Sequence, residues 1–267
     1  MIFKKNLFKK YNIDNDLMKR FTTGLEKILD DLFTASLAIT SSEKKAYKLL
    51  TKCIESAVKF LPHLDNRIDV DGWLFRILIN KISEMNLLNP GQADIEKTEL
   101  NLTNFQKMFF AENDLERMLS TIEPGKIKSA LLDLPVYLKI SVLLKDILKK
   151  SYEEASDLID IPVDVLALRL NSARKLIYVN LLEHSNNDNF QYGDPLDTET
   201  DILITKLADA ELHEDKVKSG IIEKTETNRD LNKNYIIQKK IKEIIQKNKN
   251  SYSITIKARN RIKKLLT

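Results

Sequence analysis

Arg169, Asn171, Ser172, Arg174 and Lys175 fall in one short run of a 267-residue chain. Guanidinium, amide, hydroxyl and ammonium groups at that spacing are hydrogen-bond donors for phosphate oxygens and base edges, and arginine is the usual major-groove reader of guanine. The chemistry on offer is therefore recognition. These donors need a helix to project from and a second helix to hold it. In the preceding stretch Val136, Ile140, Leu143, Leu144, Ile147 and Leu148 recur at helical spacing, and Lys149, Lys150 and Ser151 interrupt the pattern. Ser151 is a good N-cap, and Glu154 three residues on completes a capping box ahead of Ala155, Leu158 and Ile159. Asp160 stands where the chain must turn and tolerates left-handed backbone, while Pro162 suits the first turn of a helix running past Leu176. Ser156 is small enough for close helix contact. Two helices joined by so short a turn, the second carrying the donors, form a DNA-reading helix-turn-helix.

This stretch resembles the promoter-reading C-terminal domain of the extracytoplasmic-function sigma factors of bacterial RNA polymerase. The resemblance rests on Leu134-Pro135, Ser151-Tyr152-Glu153-Glu154, Ile161-Pro162, Arg169 and Ala173-Arg174, in register without a gap. It implies DNA contacts by Ser151, Tyr152 and Val165 beside Arg169, Asn171, Ser172, Arg174 and Lys175. The family's Gly-Thr-Val-Lys opening of the reading helix is Asp164-Val165-Leu166-Ala167 here, and the Gly of its turn is Asp160. A lysine is lost and an acid gained.

Composition points the same way. Hydrophobic residues make up 43% of the chain while Gly and Pro number six each, and periodic apolar spacing recurs throughout, so an all-α fold is expected. The net charge of +4 permits nucleic-acid contact without requiring it. Cys53 is the single cysteine, which excludes a disulfide framework or a cysteine-based zinc site within the chain and fits a reducing cytoplasm. No apolar run reaches the roughly 20 residues that span a bilayer, and the opening MIFKKNLFKK lacks a signal peptide's apolar core. His63, His184 and His213 are scattered, and neither a phosphate loop nor a nucleophile elbow is present. A non-enzyme without metal or cofactor, not attached to a membrane, is expected.

Toward the N-terminus, Ile13, Leu17, Phe21, Leu25, Ile28, Leu32 and Phe33 mark an amphipathic helix over 13–37. A second opens at Ser42 and Glu43 and carries Ala46, Leu49, Leu50, Cys53, Ile54, Ala57, Val58 and Leu61 up to Pro62. A third runs from Val70 to about Met85. Its Trp73-Leu74-Phe75-Arg76-Ile77 followed by Asn80 resembles the sigma factors' other domain, which grips polymerase and the upstream melting element. The resemblance implies DNA contacts by Trp73, Arg76 and Asn80, and polymerase contacts by Tyr47, Lys48 and Thr51. Family members present an Ala-acid-Asp-Leu segment there; this chain has Ala46-Tyr47-Lys48-Leu49. Arginines that usually follow the Asn are replaced by Glu84, Met85, Asn86, Leu87 and Leu88, and each lost cation removes a counterion-releasing contact.

Asn89-Pro90-Gly91 marks a boundary, and Phe105, Met108, Phe109, Leu115, Met118 and Leu119 read as short packed helices before Glu123-Pro124-Gly125 breaks again. After His184 a polar, aperiodic run reads as a linker, followed by helical patterns over 201–212, 228–246 and 254–266. Leu207-Ala208-Asp209-Ala210-Glu211-Leu212 distantly resembles the opening of anti-sigma domains. Glu223, Thr227 and Asp230 replace the zinc-binding His and Cys residues of such domains, so a metal-free version is implied.

The expected organisation is a sigma region 2-like helical domain over 1–88, a linker with short helices over 89–125, a region 4-like helix-turn-helix domain over 126–184, a flexible linker over 185–200 and a helical extension over 201–267. The implied function is a cytoplasmic transcription initiation factor binding promoter DNA and core RNA polymerase, its extension acting either as an in-chain regulator or, through Arg259, Arg261, Lys263 and Lys264, as an added phosphate contact. The alternative is a sigma-derived protein that sequesters a regulator, such as an anti-sigma factor, without starting transcription.

Overall fold

In a computed structural model of the chain, the described residues are Phe8, Tyr11, 13–40, 42–63, 69–84, 122–183, 197–248, Arg259, Asn260 and Ile262. Every regular element among them is helical, as composition led one to expect. None of these helices is long and apolar enough to cross a membrane. The chain divides into two compact units, one formed by 1–88 with 252–267 and one by 89–251. The expected helices between Phe105 and Leu119 lie outside the described residues.

The first unit contains α1 (Asn15–Thr40), α2 (Glu43–Phe60), a 3-10 turn at Leu61–His63 and α3 (Val70–Glu84). Asp14 opens α1 by accepting the Leu17 amide at 2.8 Å, and Asp69 accepts the Asp71 and Gly72 amides at 3.1 and 3.0 Å to open α3. The α1 helix outruns the expected end at Leu37 because Ala38, Ile39 and Thr40 are buried, with the Thr40 hydroxyl donating to the Ser36 carbonyl at 2.7 Å. Leu25, Leu29, Leu32 and Phe33 of α1 share the core with Leu49, Leu50 and Ala57 of α2 and Leu74, Leu78 and Ile82 of α3. Close approach of α1 to the start of α3 needs Gly24, where an added Cβ would come within 2.9 Å of Val70 Cγ1. Phe21 sits edge-on between Phe8 and Trp73, with ring centroids 6.2 and 6.5 Å away. Ile262 is also buried, and Arg259 pairs with Asp30.

Cys53 lies in this core with its thiol 3.6 Å from the Leu74 carbonyl, and burial pushes its pKa up to about 12. Since the thiolate is the nucleophile, the folded protein should resist maleimide at neutral pH and react once denatured. Rapid labelling of Cys53 under native conditions would contradict this packing.

The second unit contains α4 (Pro124–Leu132), α5 (Val136–Val142) continuing into a π turn at Leu143–Ile147, α6 (Tyr152–Ile159) and α7 (Val163–Glu183). It continues with α8 (Thr198–Ala208), α9 (Asp215–Thr227) and α10 (Arg229–Lys247). The α7 helix packs against α4, α5, α6, α8 and α10. Pro162 precedes α7, its carbonyl accepting the Leu166 amide at 3.1 Å. The α8 helix starts three residues ahead of the expected Asp201, because Asp197 caps it by accepting from the Thr200 amide at 2.8 Å and hydroxyl at 2.6 Å. It stops at Ala208 rather than Leu212, where Ala210 takes left-handed backbone (φ 60°). Asn228 caps α10, accepting from the Asp230 and Leu231 amides, so the helix begins at Arg229, one residue after the expected start. Of the expected 254–266 helix, Arg259, Asn260 and Ile262 are described, and they are helical.

Candidate nucleic-acid interface

Local signals build the helix-turn-helix. The Glu154 amide donates to the Ser151 hydroxyl at 3.1 Å and the Ser151 amide donates to the Glu154 carboxylate at 2.8 Å, a complete capping box. Asp160 closes α6 in left-handed backbone (φ 55°, ψ 52°), and the chain enters α7 three residues later, at Val163. Ser156 is buried where the chain turns back, its backbone carbonyl accepting from the Ile161 amide at 3.3 Å.

The donors of this motif fall into two groups. Val165 is exposed, while Arg169 and Ser172 are half-buried, with the Arg169 guanidinium over the Tyr137 ring at 5.4 Å. Glu153, Glu154, Asp157, Asp160 and Asp164 are exposed on the same two helices and their turn, and Asp164 pairs with Lys206 at 2.7 Å. The other group faces α8 and α10. Arg174 is fully buried, reaching Asp146 with two nitrogens at 2.5 and 3.1 Å and Asp209 at 2.8 Å. Lys175 donates to both oxygens of Asp201 at 3.0 Å. Asn171 donates to the Thr205 hydroxyl at 2.8 Å and the Asp201 carbonyl at 3.3 Å. The Tyr152 hydroxyl donates to Asp209 at 2.6 Å, and its backbone amide donates to Glu211 at 3.0 Å.

Residues that sequence reasoning passed over complete this layer. Lys145 of the π turn donates to Glu211 at 2.6 Å and lies over the Tyr152 ring at 4.0 Å. From α10, Lys242 reaches Asp209 at 3.0 Å, Asn234 donates to Asp201 at 2.7 Å and Gln238 donates to the Asn171 carbonyl at 3.2 Å. Their signal in the sequence was a polar residue at an apolar register position, as with Asp146 inside Leu143-Leu144-Lys145-Asp146-Ile147 and Gln238 after Ile236-Ile237.

Electrostatics follows from enclosure. Burial raises the Asp209 carboxyl, but Arg174 and Lys242 together outweigh it and hold it below the usual carboxylate range. Burial raises Asp146 and Asp201 against the pull of Arg174 and Lys175, and it lowers the Lys175 ammonium against the pull of Asp201. Burial and the adjoining Asp209 push the Tyr152 phenol well up, so it remains a donor.

In the first unit Tyr47, Lys48 and Thr51 lie along one side of α2, with Lys48 exposed and the Thr51 hydroxyl donating to the Tyr47 carbonyl at 2.8 Å. Trp73, Arg76 and Asn80 share a face of α3, the last two exposed and Trp73 half-buried against Phe21. Glu223 is exposed, Thr227 donates to its carbonyl at 2.9 Å, and no group of His, Cys, Asp and Glu suited to a metal occurs among the described residues.

No protein-family model matches the chain. Among solved structures, the sigma factor RpoE of Bartonella quintana, crystallised in complex with the anti-sigma factor NepR, is similar at 20% identity and a TM-score of 0.44, over 62% of this chain and 98% of that one.

Proposed function

We propose that this chain is a sigma-like transcription initiation factor, with α6 and α7 reading promoter DNA and the α1–α3 unit docking on core RNA polymerase. The observation that carries the reading is the helix-turn-helix itself: capping box, left-handed Asp160 and the in-register motif from Leu134 to Arg174 occur together. Co-purification of the full chain with core polymerase tests it, and absence from the polymerase fraction counts against it. Arg169 is the arginine of α7 that lies outside the buried layer, half-buried over the Tyr137 ring, so Arg169→Ala should cost about 1–3 kcal/mol of DNA affinity if it reads a base. A gel-shift titration that finds no change would remove Arg169 from the interface. Lys48 replaces a family carboxylate on an exposed face of α2, so Lys48→Asp should tighten polymerase association, chiefly through the on-rate at low salt. Weaker association would overturn the assignment of that face.

A second reading is favoured by the enclosure of Asn171, Arg174 and Lys175 and by the exposed carboxylates on α6 and α7. Acids beside DNA repel phosphate, and they suit a basic protein surface. In that reading the chain sequesters a regulator such as an anti-sigma factor and does not start transcription. Retention of such a regulator by a chain that core polymerase ignores would decide for it.

A further inference from the structure

We propose that α8 and the turn after it act as an in-chain mimic of a nucleic-acid backbone, the carboxylates of Asp201, Asp209 and Glu211 occupying the donor row that would otherwise hold phosphates. This rests on the helix-turn-helix reading of α6 and α7 and adds its regulation. The row runs Lys175, Arg174 with the Tyr152 hydroxyl, then Lys145 with the Tyr152 amide, and each station is filled by one carboxylate of the extension. The last station has the composition of a phosphate site: the first amide of α6 donates to one oxygen of Glu211 at 3.0 Å, at the favourable end of the helix dipole, and an ammonium lies 2.6 Å from the other oxygen. In a helix-turn-helix the first helix crosses the DNA backbone, so an anion held at its start stands where a phosphate would.

The extension is built to hold this pose reversibly. Ile204, Ile221 and Leu231, with Leu203, Leu207 and Tyr235 packed around them, give α8–α10 an apolar cluster of their own. Two of the three mimic carboxylates are shared with donors of the extension itself, Asp209 with Lys242 and Asp201 with Asn234. On release those acids keep a partner, which lowers the cost of opening. Uncovering the row gives back Lys145 and Lys175 for counterion release on DNA, while Arg174 keeps Asp146.

The test uses the full chain and a short random-sequence duplex, for which promoter specificity is irrelevant. Combining Asp201→Asn with Glu211→Gln removes two mimic charges while keeping shape. Duplex affinity by fluorescence anisotropy should rise about tenfold or more, with a salt dependence steeper by about two counterions. Hydrogen exchange of the Tyr152 amide should accelerate in parallel. Should the double variant lose helicity, Glu211→Gln alone, at a half-exposed contact, carries the same comparison. Unchanged duplex binding by a folded variant overturns the proposal and identifies the acids as permanent core. A variant newly retained by core polymerase without gaining duplex affinity also overturns it, marking the row as a protein contact. Failure of the transcription reading would show separately, as absence of both parent and variant from core polymerase.

Discussion

Arg174→Ala should destabilise the second unit by about 3–5 kcal/mol, because it strands the fully buried Asp146 carboxylate that its guanidinium now neutralises and takes one of Asp209's partners. The loss belongs to the pairing and not to volume alone. Replacing Arg174 with Met and Asp146 with Leu together should therefore recover most of it, since an apolar pair of similar size leaves no uncompensated charge, while Asp209 keeps Lys242 and Tyr152. Urea titrations followed by far-ultraviolet circular dichroism measure both variants. An Arg174→Ala protein as stable as the parent would show that the guanidinium is solvated, contrary to its enclosure.

Leu49→Ala should cost the first unit about 2–5 kcal/mol, as expected for a fully buried leucine removed from a helix packed against two others. The cost depends on how far α1 and α3 can close on the cavity. Trp73 is the single tryptophan and stands in this unit against Phe21, so its fluorescence reports the loss directly. A tryptophan transition at the parental midpoint would place Leu49 outside the core.

Legibility in the sequence followed the range of the interaction. The capping box joins residues three apart and the Asp160 turn follows from backbone preference at one position, so both could be read locally. Helix faces of the first unit were equally plain, since Leu25, Ile28 and Leu32 in α1 and Leu49, Cys53 and Ala57 in α2 repeat at helical spacing. Arg174 was different. Its partners lie 28 and 35 residues away, and an arginine on an amphipathic helix looks the same in sequence whether it meets water, phosphate or an aspartate. For the same reason nothing in the sequence marks Asp201 and Glu211 as the partners of Lys175 and Lys145. The start of α8 was missed because its cap, Asp197, sits within a polar run with no periodic pattern to mark it.

The π turn at Leu143–Ile147 sets the helical phase of this arrangement. Such a turn accommodates about one residue more than an α turn, and one residue corresponds to about 100° of rotation. Deleting a single residue there would let the helix return to α phase and swing Lys145 and Asp146 away from Glu211 and Arg174. Side-chain replacements that keep the residue count leave the backbone phase of the turn unchanged. The enclosure of the donor row is thus indexed by chain length at one turn, and insertions or deletions there reset it where substitutions do not.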